Sequence, residues 1–316
     1  MAQPGPGDVH IDSALTDFSV AYLQSPAASV ARRAFPVVGS AKQSDKYFVW
    51  TIADHMRSET RGRAPGTRAA TRDFALSNDN FYCDVKALAH NISSQVKANA
   101  DPAVDPEETA VRMLLQDMMI AEEVAFSATA FASSWGTNTS PGTVWDNAAA
   151  YPISDLATGI RTVLLATGFK PNVLLLGNDS WVTGLGLHED LVDRLPDNSA
   201  RIVTREFVAN LLGLDEILVS EVVYNSAGEG LAASNAFAAT RNAALLFYRN
   251  PSPGLLGANA GATFVWSGLL GAAQGVQVKR YDVPVEDAYP RLEVETAYDH
   301  KIVGSGLGYY LTSCVT

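Results

Sequence analysis

The chain of 316 residues carries 34 acidic and 23 basic side chains, a formal net charge of −11, and 47% of its residues are hydrophobic. This length suffices for one large or two medium domains, and the apolar fraction excludes wholesale disorder. The negative balance argues against a surface devoted to nucleic acid, so any contact with phosphates would be local. No stretch reaches the ~18 uninterrupted apolar residues of a membrane helix, and the N-terminus does not resemble a secretory signal.

The N-terminal residues, as far as Val38, indicate an arm. Residues 1–12 are rich in glycine, proline and polar groups. Residues 11–38 carry scattered apolar side chains, and Pro26 and Pro36 interrupt them. The arm contains too little material to bury these apolar patches within itself.

Residues 45–85 predict a long hairpin with an arginine-rich tip. One strand is expected over 45–52, which is aromatic and β-branched, and a second from about Phe81 to Val85. An isolated two-stranded hairpin is marginally stable in water, so this one is expected to lie on another copy of the chain. A flexible basic loop without a partner is the alternative. The polar stretch between the strands holds five arginines: Arg57, Arg61, Arg63, Arg68 and Arg72.

A helix of roughly 28 residues is predicted over 105–133, which would make it about 40 Å long. Asp105 suits the capping position and Pro106 the first helical position. Apolar residues then recur at helical spacing, while Glu122 and Glu123 fall off that stripe. The stripe consists of Val111, Leu114, Leu115, Met118, Ala121, Ala125 and Phe126.

Helices and strands alternate from residue 153 to residue 248, which indicates a compact α/β unit, and the turn residues at 250–254 mark its end. Strands dominate again from Thr263, and they need a helix to cover them. The long helix is the expected cover, which makes the α/β unit an insertion between two parts of one domain. Helices are predicted over 87–95, 153–167, 181–195 and 205–212. Strands are predicted over 172–176, 217–224, 243–248, 263–266, 276–283, 291–298 and 309–315.

No established catalytic or metal-binding motif stands in the sequence. It contains no nucleophile elbow, zinc-protease motif, phosphate-binding loop or paired-cysteine motif. The five histidines lack metal-ligand spacing, and two distant cysteines are typical of a reducing cytoplasm. We therefore predict no catalytic residue, metal or cofactor. A cytosolic α/β enzyme stays open as an alternative, with Glu189, Asp299 and His300 as its candidate residues.

Taken together, several segments resemble the major capsid proteins of tailed double-stranded-DNA bacteriophages, which have the HK97-like shell fold. They occur in a common order along nearly the whole chain. The segments are LTDFSVAY at 15–22, AFPVV at 34–38, KQSDKYFV at 42–49, RAPGT at 63–67, TGFKPN at 167–172, VVYN at 222–225 and AYDHKIV at 297–303.

The resemblance implies an α+β chain with the HK97-like capsid fold. Its parts would be an N-terminal arm, an extended β-hairpin called the E-loop, a peripheral domain built on a long spine helix, and an α/β axial domain. The implied ranges are 1–43 for the arm, 44–85 for the E-loop, 86–152 for the peripheral domain with its spine helix at 105–133, 153–257 for the axial domain, and 258–316 for the completion of the peripheral domain.

The resemblance also implies a function. The chain would be a structural, non-enzymatic subunit that assembles in the host cytoplasm into pentamers and hexamers of an icosahedral virion capsid. Its partners would be itself, packaged double-stranded DNA through non-specific contacts, and scaffolding, portal and decoration proteins, with no membrane. Arg32 and Arg33 are the candidates for facing DNA. An encapsulin-like nanocompartment shell is the second interpretation. The expected inter-subunit contacts of the E-loop are Trp50, Arg57, Arg61, Arg63, Arg68 and Arg72.

Overall fold

The computed structural model describes most of the chain. Residues 1–22 of the predicted arm, Arg72 and the side chain of Trp50 lie outside the described part. None of the helices in the described part is long and apolar enough to cross a membrane. The described residues are 23–50, 56–58, 60–69, 71, 73, 75–93, 95, 105–195, 202–250, 252, 254, 257–270, 275–283 and 289–316.

Helices and strands are distributed along the whole described chain. The α-helices are α1 (Ala31–Ala34), α2 (Pro106–Ala130), α3 (Pro152–Thr167), α4 (Glu189–Val192), α5 (Arg205–Leu212) and α6 (Ser267–Leu270). The strands are β1 (Val37–Ser40), β2 (Ser44–Trp50), β3 (Leu76–Tyr82), β4 (Asp84–Asn91), β5 (Thr137–Thr139), β6 (Val173–Leu176), β7 (Glu216–Val219), β8 (Val223–Asn225), β9 (Asn235–Phe237), β10 (Ala244–Phe247), β11 (Gly261–Trp266), β12 (Val276–Val283), β13 (Tyr289–Ile302) and β14 (Gly308–Leu311).

The first sheet is organised around the long strand β13. Strands β4, β11 and β12 pair with it in antiparallel orientation, and β1 joins β11 in parallel. Helix α2 covers this sheet, where Leu114 and Met118 form a cluster with Leu292 and Val294. This packing confirms that the long helix covers the strands that follow residue 258. The alternation in β13 is confirmed too, because Leu292 and Val294 are buried while Arg291 is exposed.

The second sheet has the order β5-β14-β10-β6-β7 and is buried on both faces. One face, with Leu174 and Leu246, packs in a cluster with α3 and α5. The other face, with Leu175 and Phe247, packs against α1 and the C-terminal half of α2. The long helix therefore covers both sheets, because its N-terminal half lies on the first and its C-terminal half on the second.

The ends of two helices follow local signals in the sequence. The Asp105 side chain accepts a hydrogen bond from the amide of Glu107 and caps α2, as predicted. Gly168 ends α3 with a φ of 76°, the left-handed conformation expected of a C-terminal glycine. Helix α2 has 25 residues and ends at Ala130. It is therefore slightly shorter than predicted.

The helix predicted over 87–95 is wrong. Residues 84–91 form β4, which pairs with β13 along eight positions from Asp84 opposite Tyr298 to Asn91 opposite Arg291. Alanine, lysine and leucine favour a helix, but the hydrogen bonds and cross-strand contacts with β13 override this preference. The second hairpin strand also differs from the prediction, since β3 runs over Leu76–Tyr82 and not from Phe81 to Val85.

Three further predictions need correction. Residues 217–224 form two strands in different sheets, β7 and β8. Residues 181–195 divide into a π-helix over Ser180–Gly186 and the short α4. The last strand, β14, ends at Leu311 and pairs with β10 and β5. It therefore belongs to the second sheet. The domain boundaries stay predictions.

Candidate assembly surfaces

The hairpin of β2 and β3 is a two-stranded sheet that pairs with no other described strand. Its register runs from Ser44 opposite Tyr82 to Trp50 opposite Leu76. Every residue of β3 except Phe81 is exposed. A hairpin of two strands has little stability of its own in water. Its exposed apolar side chains are therefore candidates for burial by another molecule.

Stacked aromatic rings anchor the root of the hairpin to the first sheet. Phe264 on β11 stacks on Phe81 with centroids 4.3 Å apart and on Tyr47 with centroids 5.5 Å apart. The amide of Tyr82 donates to a carboxylate oxygen of Asp299 at 3.0 Å. Burial raises the pKa of the Asp299 carboxyl above its ordinary value. The hairpin is thus fixed at its base to the first sheet.

The tip of the hairpin presents positive charge to solvent. Arg63 donates to the backbone carbonyl of Thr67, which closes a turn at the tip. Arg72 and the side chain of Trp50 fall outside the described part of the chain. Contact of these side chains with a neighbouring subunit stays a prediction. The described arginines of the predicted set are all exposed: Arg57, Arg61, Arg63 and Arg68.

Arg32 and Arg33, the predicted DNA-facing pair, form ion pairs within the chain. The Arg32 guanidinium donates to both carboxylate oxygens of Glu122, at 2.7 and 3.0 Å. Arg33 pairs with Glu216, which Arg249 also contacts at 3.0 Å. Burial acts to raise the pKa of Glu216, but Arg33 and Arg249 outweigh it and the pKa is lowered. These pairs hold the arm against the body of the subunit, a role that the sequence analysis missed.

Glu123 is a fully buried carboxylate that joins three parts of the chain. One oxygen accepts hydrogen bonds from the Ser29 hydroxyl at 2.8 Å and from the amides of Val30 and Ala31 at 3.0 and 3.1 Å. The other accepts from the Ser220 hydroxyl at 2.6 Å. A buried carboxylate persists when such donors replace water. Glu123 therefore ties the arm and the segment after β7 to α2.

The sequence contains a weak signal for Glu123 that the apolar stripe concealed. Glu123 lies three residues before Phe126 and four before Ser127, and all three side chains are buried. This spacing places them on one helical face. In contrast, Leu115 was assigned to the stripe but is exposed. The elements that pack against α2 therefore decide which of its residues are buried. The pattern of apolar residues alone does not identify that face correctly.

The candidate enzyme residues do not form a catalytic group. Asp299 and His300 are consecutive residues of β13, opposite Phe264 and Thr263 of β11, so their side chains point to opposite faces. Glu189 begins α4, which packs beside the second sheet. No group of three or more potential metal ligands comes together among the residues that the structure describes.

His300 is buried where the arm, α2 and the first sheet meet. Its Nδ1 lies 2.9 Å from the Thr263 hydroxyl. Its Nε2 has no hydrogen-bond partner in the described structure. Burial is the main reason why the pKa of His300 falls from 6.5 to about 4, and the positive charges of Lys86 and Arg32 lower it further. The backbone of Glu122 acts weakly in the opposite direction.

We expect the stability of the folded chain to fall as the pH drops from 6.5 towards 4. The unfolded chain binds a proton at His300 in this window and the folded chain does not, so acid favours unfolding. The contribution is at most about 3 kcal/mol, at ~1.4 kcal/mol for each pKa unit. Urea denaturation at several pH values should show a flatter pH dependence for His300→Gln than for the wild type.

The exposed His90 on β4 offers the matched control, His90→Gln. This variant removes a histidine from an exposed position, so a difference between it and His300→Gln isolates the effect of the buried imidazole. Other groups that titrate in the same window contribute equally to all three proteins. Equal slopes for His300→Gln and the wild type would contradict the assignment to His300.

Comparison with known proteins found no matching family model and no similar curated sequence. Solved structures, in contrast, match over nearly the full chain. A phage-related protein from Bordetella bronchiseptica RB50 has a TM-score of 0.68 at 19% identity, covering 96% of this chain and 97% of that one. The capsid of cyanophage P-SCSP1u has a TM-score of 0.60 at 12% identity, covering 98% and 95%.

A virus-like particle from Pyrococcus furiosus is also similar, with a TM-score of 0.52 at 13% identity, covering 92% of this chain and 100% of that one. At these identities the similarity establishes the fold. The chain has the HK97-like fold of phage capsid proteins, and the predicted α+β fold class is confirmed.

Proposed function

We propose that this chain is the major capsid subunit of a tailed bacteriophage, and that it assembles into pentamers and hexamers of an icosahedral shell around double-stranded DNA. The observation that carries the proposal is the hairpin of β2 and β3. It is rooted firmly at Phe264 and exposes nearly all of β3. A neighbouring copy supplies the surface that this hairpin needs.

The driving force for assembly is the unfavourable free energy of leaving the apolar side chains of the hairpin exposed to water. Phe48 is 55% exposed and Leu76 is 48% exposed on the two hairpin strands. Burying a large apolar side chain contributes about 1.5 to 3 kcal/mol. Obligate interfaces bury ~2,000 Å² or more. In a ring of subunits, each hairpin would bury surface on its neighbour, and these repeated contacts can together reach such an area.

The similarity to capsid structures supports a structural role for the chain. The capsid of cyanophage P-SCSP1u shares its fold over almost its whole length. The assembled protein would reside in the virion capsid after assembly in the host cytoplasm. Scaffolding, portal and decoration proteins are the proposed further partners.

Packaged DNA is proposed to be held by non-specific contacts. Arg32 and Arg33 stay the candidates, since their side chains are 29% and 52% exposed while paired with Glu122 and Glu216. A guanidinium presents five N–H donors, so the half-exposed Arg33 can contact a phosphate while it is paired with Glu216.

A nanocompartment shell is the second candidate function, because the virus-like particle from Pyrococcus furiosus shares the fold. Size-exclusion chromatography and negative-stain microscopy of the purified chain test both. Particles near the void volume support a shell, whereas a stable monomer contradicts it. Particles isolated from the native source should contain nuclease-protected double-stranded DNA if they are capsids, and a protein cargo if they are nanocompartments.

Reversing the charge of two tip arginines, Arg61→Glu with Arg63→Glu, should impair assembly more than folding. Both side chains are exposed, and the hydrogen bond of Arg63 with Thr67 lies within the tip, so the fold outside the tip should persist. Each lost contact of ~1.4 kcal/mol weakens association tenfold. We expect the concentration at which particles form to rise by at least about tenfold, as measured by light scattering.

The variant Arg61→Lys with Arg63→Lys is the matched control, because it keeps both charges. It should assemble closer to the wild type than the glutamate variant does. Circular dichroism should give the same melting temperature for all three proteins. If the glutamate variant formed particles at the same protein concentration as the wild type, the proposed role of these arginines would be contradicted.

A further inference from the structure

An apolar surface on α3 remains exposed beside the hairpin. Leu164 and Leu165 are 44% and 81% exposed near the C-terminal end of the helix. Together with Arg161 and Gly168 they line a shallow depression, which we call the α3 face. Adjacent exposed leucines beside a depression mark a surface suited to an apolar partner.

Within the chain, Met56 contacts this depression. Met56 lies after the first strand of the hairpin. It completes the lining of the depression. A Cβ built on Gly168 would lie 2.9 Å from the terminal methyl group of Met56, so the glycine leaves room for this side chain. Methionine adapts its shape to irregular apolar surfaces.

The contact within one chain leaves most of the α3 face uncovered. Met56 is itself 47% exposed, and Leu165 keeps 81% of its surface in water. Such a small contact is released at little cost. An element that contacts its own subunit weakly can make the same contact with an identical copy, as in domain swapping.

We propose that in the shell the α3 face receives Met56 of a second copy, in place of the chain's own Met56. This inference rests on the proposed function and names the surface on which the hairpin is seated. Arg161 lies in the α3 face, so the arginine-rich tip would be repelled there. The apolar Met56 is therefore the part that docks, and the tip reaches past α3.

The test uses Met56→Cys combined with Leu165→Cys and a short bismaleimide cross-linker. The chain's own Cys83 and Cys314 are buried, and burial raises the pKa of their thiols to about 11 and about 12, so they react slowly. Equal amounts of ¹⁴N- and ¹⁵N-labelled chains are mixed before assembly. Mass spectrometry then shows whether each linked peptide pair comes from one chain or from two.

We expect about half of the linked pairs in assembled particles to combine both isotopes, the value for random neighbours, and almost none in unassembled subunits. Particles whose linked pairs never combine isotopes would overturn the inference and leave the capsid proposal standing. A wild-type chain that forms no particles would instead overturn the proposed function.

A second variant covers the case in which the cysteine pair does not assemble. Leu165→Glu places a charge in the α3 face and should raise the assembly concentration at least tenfold without changing the circular dichroism spectrum. Leu231→Glu, at a side chain that is 73% exposed between β8 and β9, is the matched control and should assemble normally. Wild-type assembly of Leu165→Glu would also overturn the inference.

Discussion

Phe35→Ala is expected to lower the free energy of unfolding by about 3 to 5 kcal/mol, the usual cost of removing a buried aromatic ring. Phe35 follows α1 and is fully buried. Its ring makes edge-on contacts with Phe126, Trp135 and Phe247 at centroid distances of 5.1, 6.4 and 6.1 Å. These rings belong to α2, the segment after α2 and the second sheet. The alanine would therefore leave a cavity where three parts of the chain meet.

Chemical denaturation of the unassembled subunit measures this loss. Phe48→Ala is the matched control, since Phe48 is exposed on the hairpin and its loss should change stability by about 0.5 kcal/mol or less. The control should instead weaken assembly, because Phe48 is available to a neighbour. If Phe35→Ala cost less than about 1 kcal/mol, the arm segment would not be part of the core.

Glu123→Ala is the second substitution with a large expected effect, a loss of about 3 to 5 kcal/mol. It removes the acceptor for the Ser29 and Ser220 hydroxyls and for the amides of Val30 and Ala31. Buried donors without a partner each cost about 1 to 3 kcal/mol, although relaxation and water entry recover part of the sum. Limited proteolysis should cut the arm near α1 faster in this variant.

Glu123→Gln separates the hydrogen bonds from the charge. The glutamine oxygen can face the Ser29 hydroxyl and both amides, while its NH2 group faces Ser220, whose hydroxyl can rotate to accept. We expect this variant to lose much less stability than the alanine variant. If both variants lost the same stability, the negative charge would be the decisive feature and the four donors would matter little.

Structural features that depend on contacts between residues close together in the sequence were predictable from the sequence. The cap at Asp105, the terminating Gly168 and the apolar repeat of α2 located two helices within a few residues. The run 172–176 located β6, which is buried along its whole length. These signals are readable because a cap, a left-handed glycine or a helical repeat involves contacts between residues close in the chain.

The role of Glu123 could not be read from the sequence. Its partners Ser29 and Ser220 are 94 and 97 residues away along the chain. A glutamate in a helix is usually solvated, and only the approach of α1 and the segment after β7 gives this one its donors. The same holds for Arg32 and Arg33, whose positive charge suggested a ligand but is paired with Glu122 and Glu216.

The sequence by itself determined the α+β content, the long helix, and a hairpin with more exposed surface than it can bury alone, because each is written in local composition and periodicity. Only the tertiary structure decided that residues 84–91 form a strand, that β14 joins the second sheet, and that Glu123 is buried. The physical reason is that pairing and burial depend on residues far apart in the chain, whose contacts outweigh local preferences of a few tenths of a kcal/mol per residue.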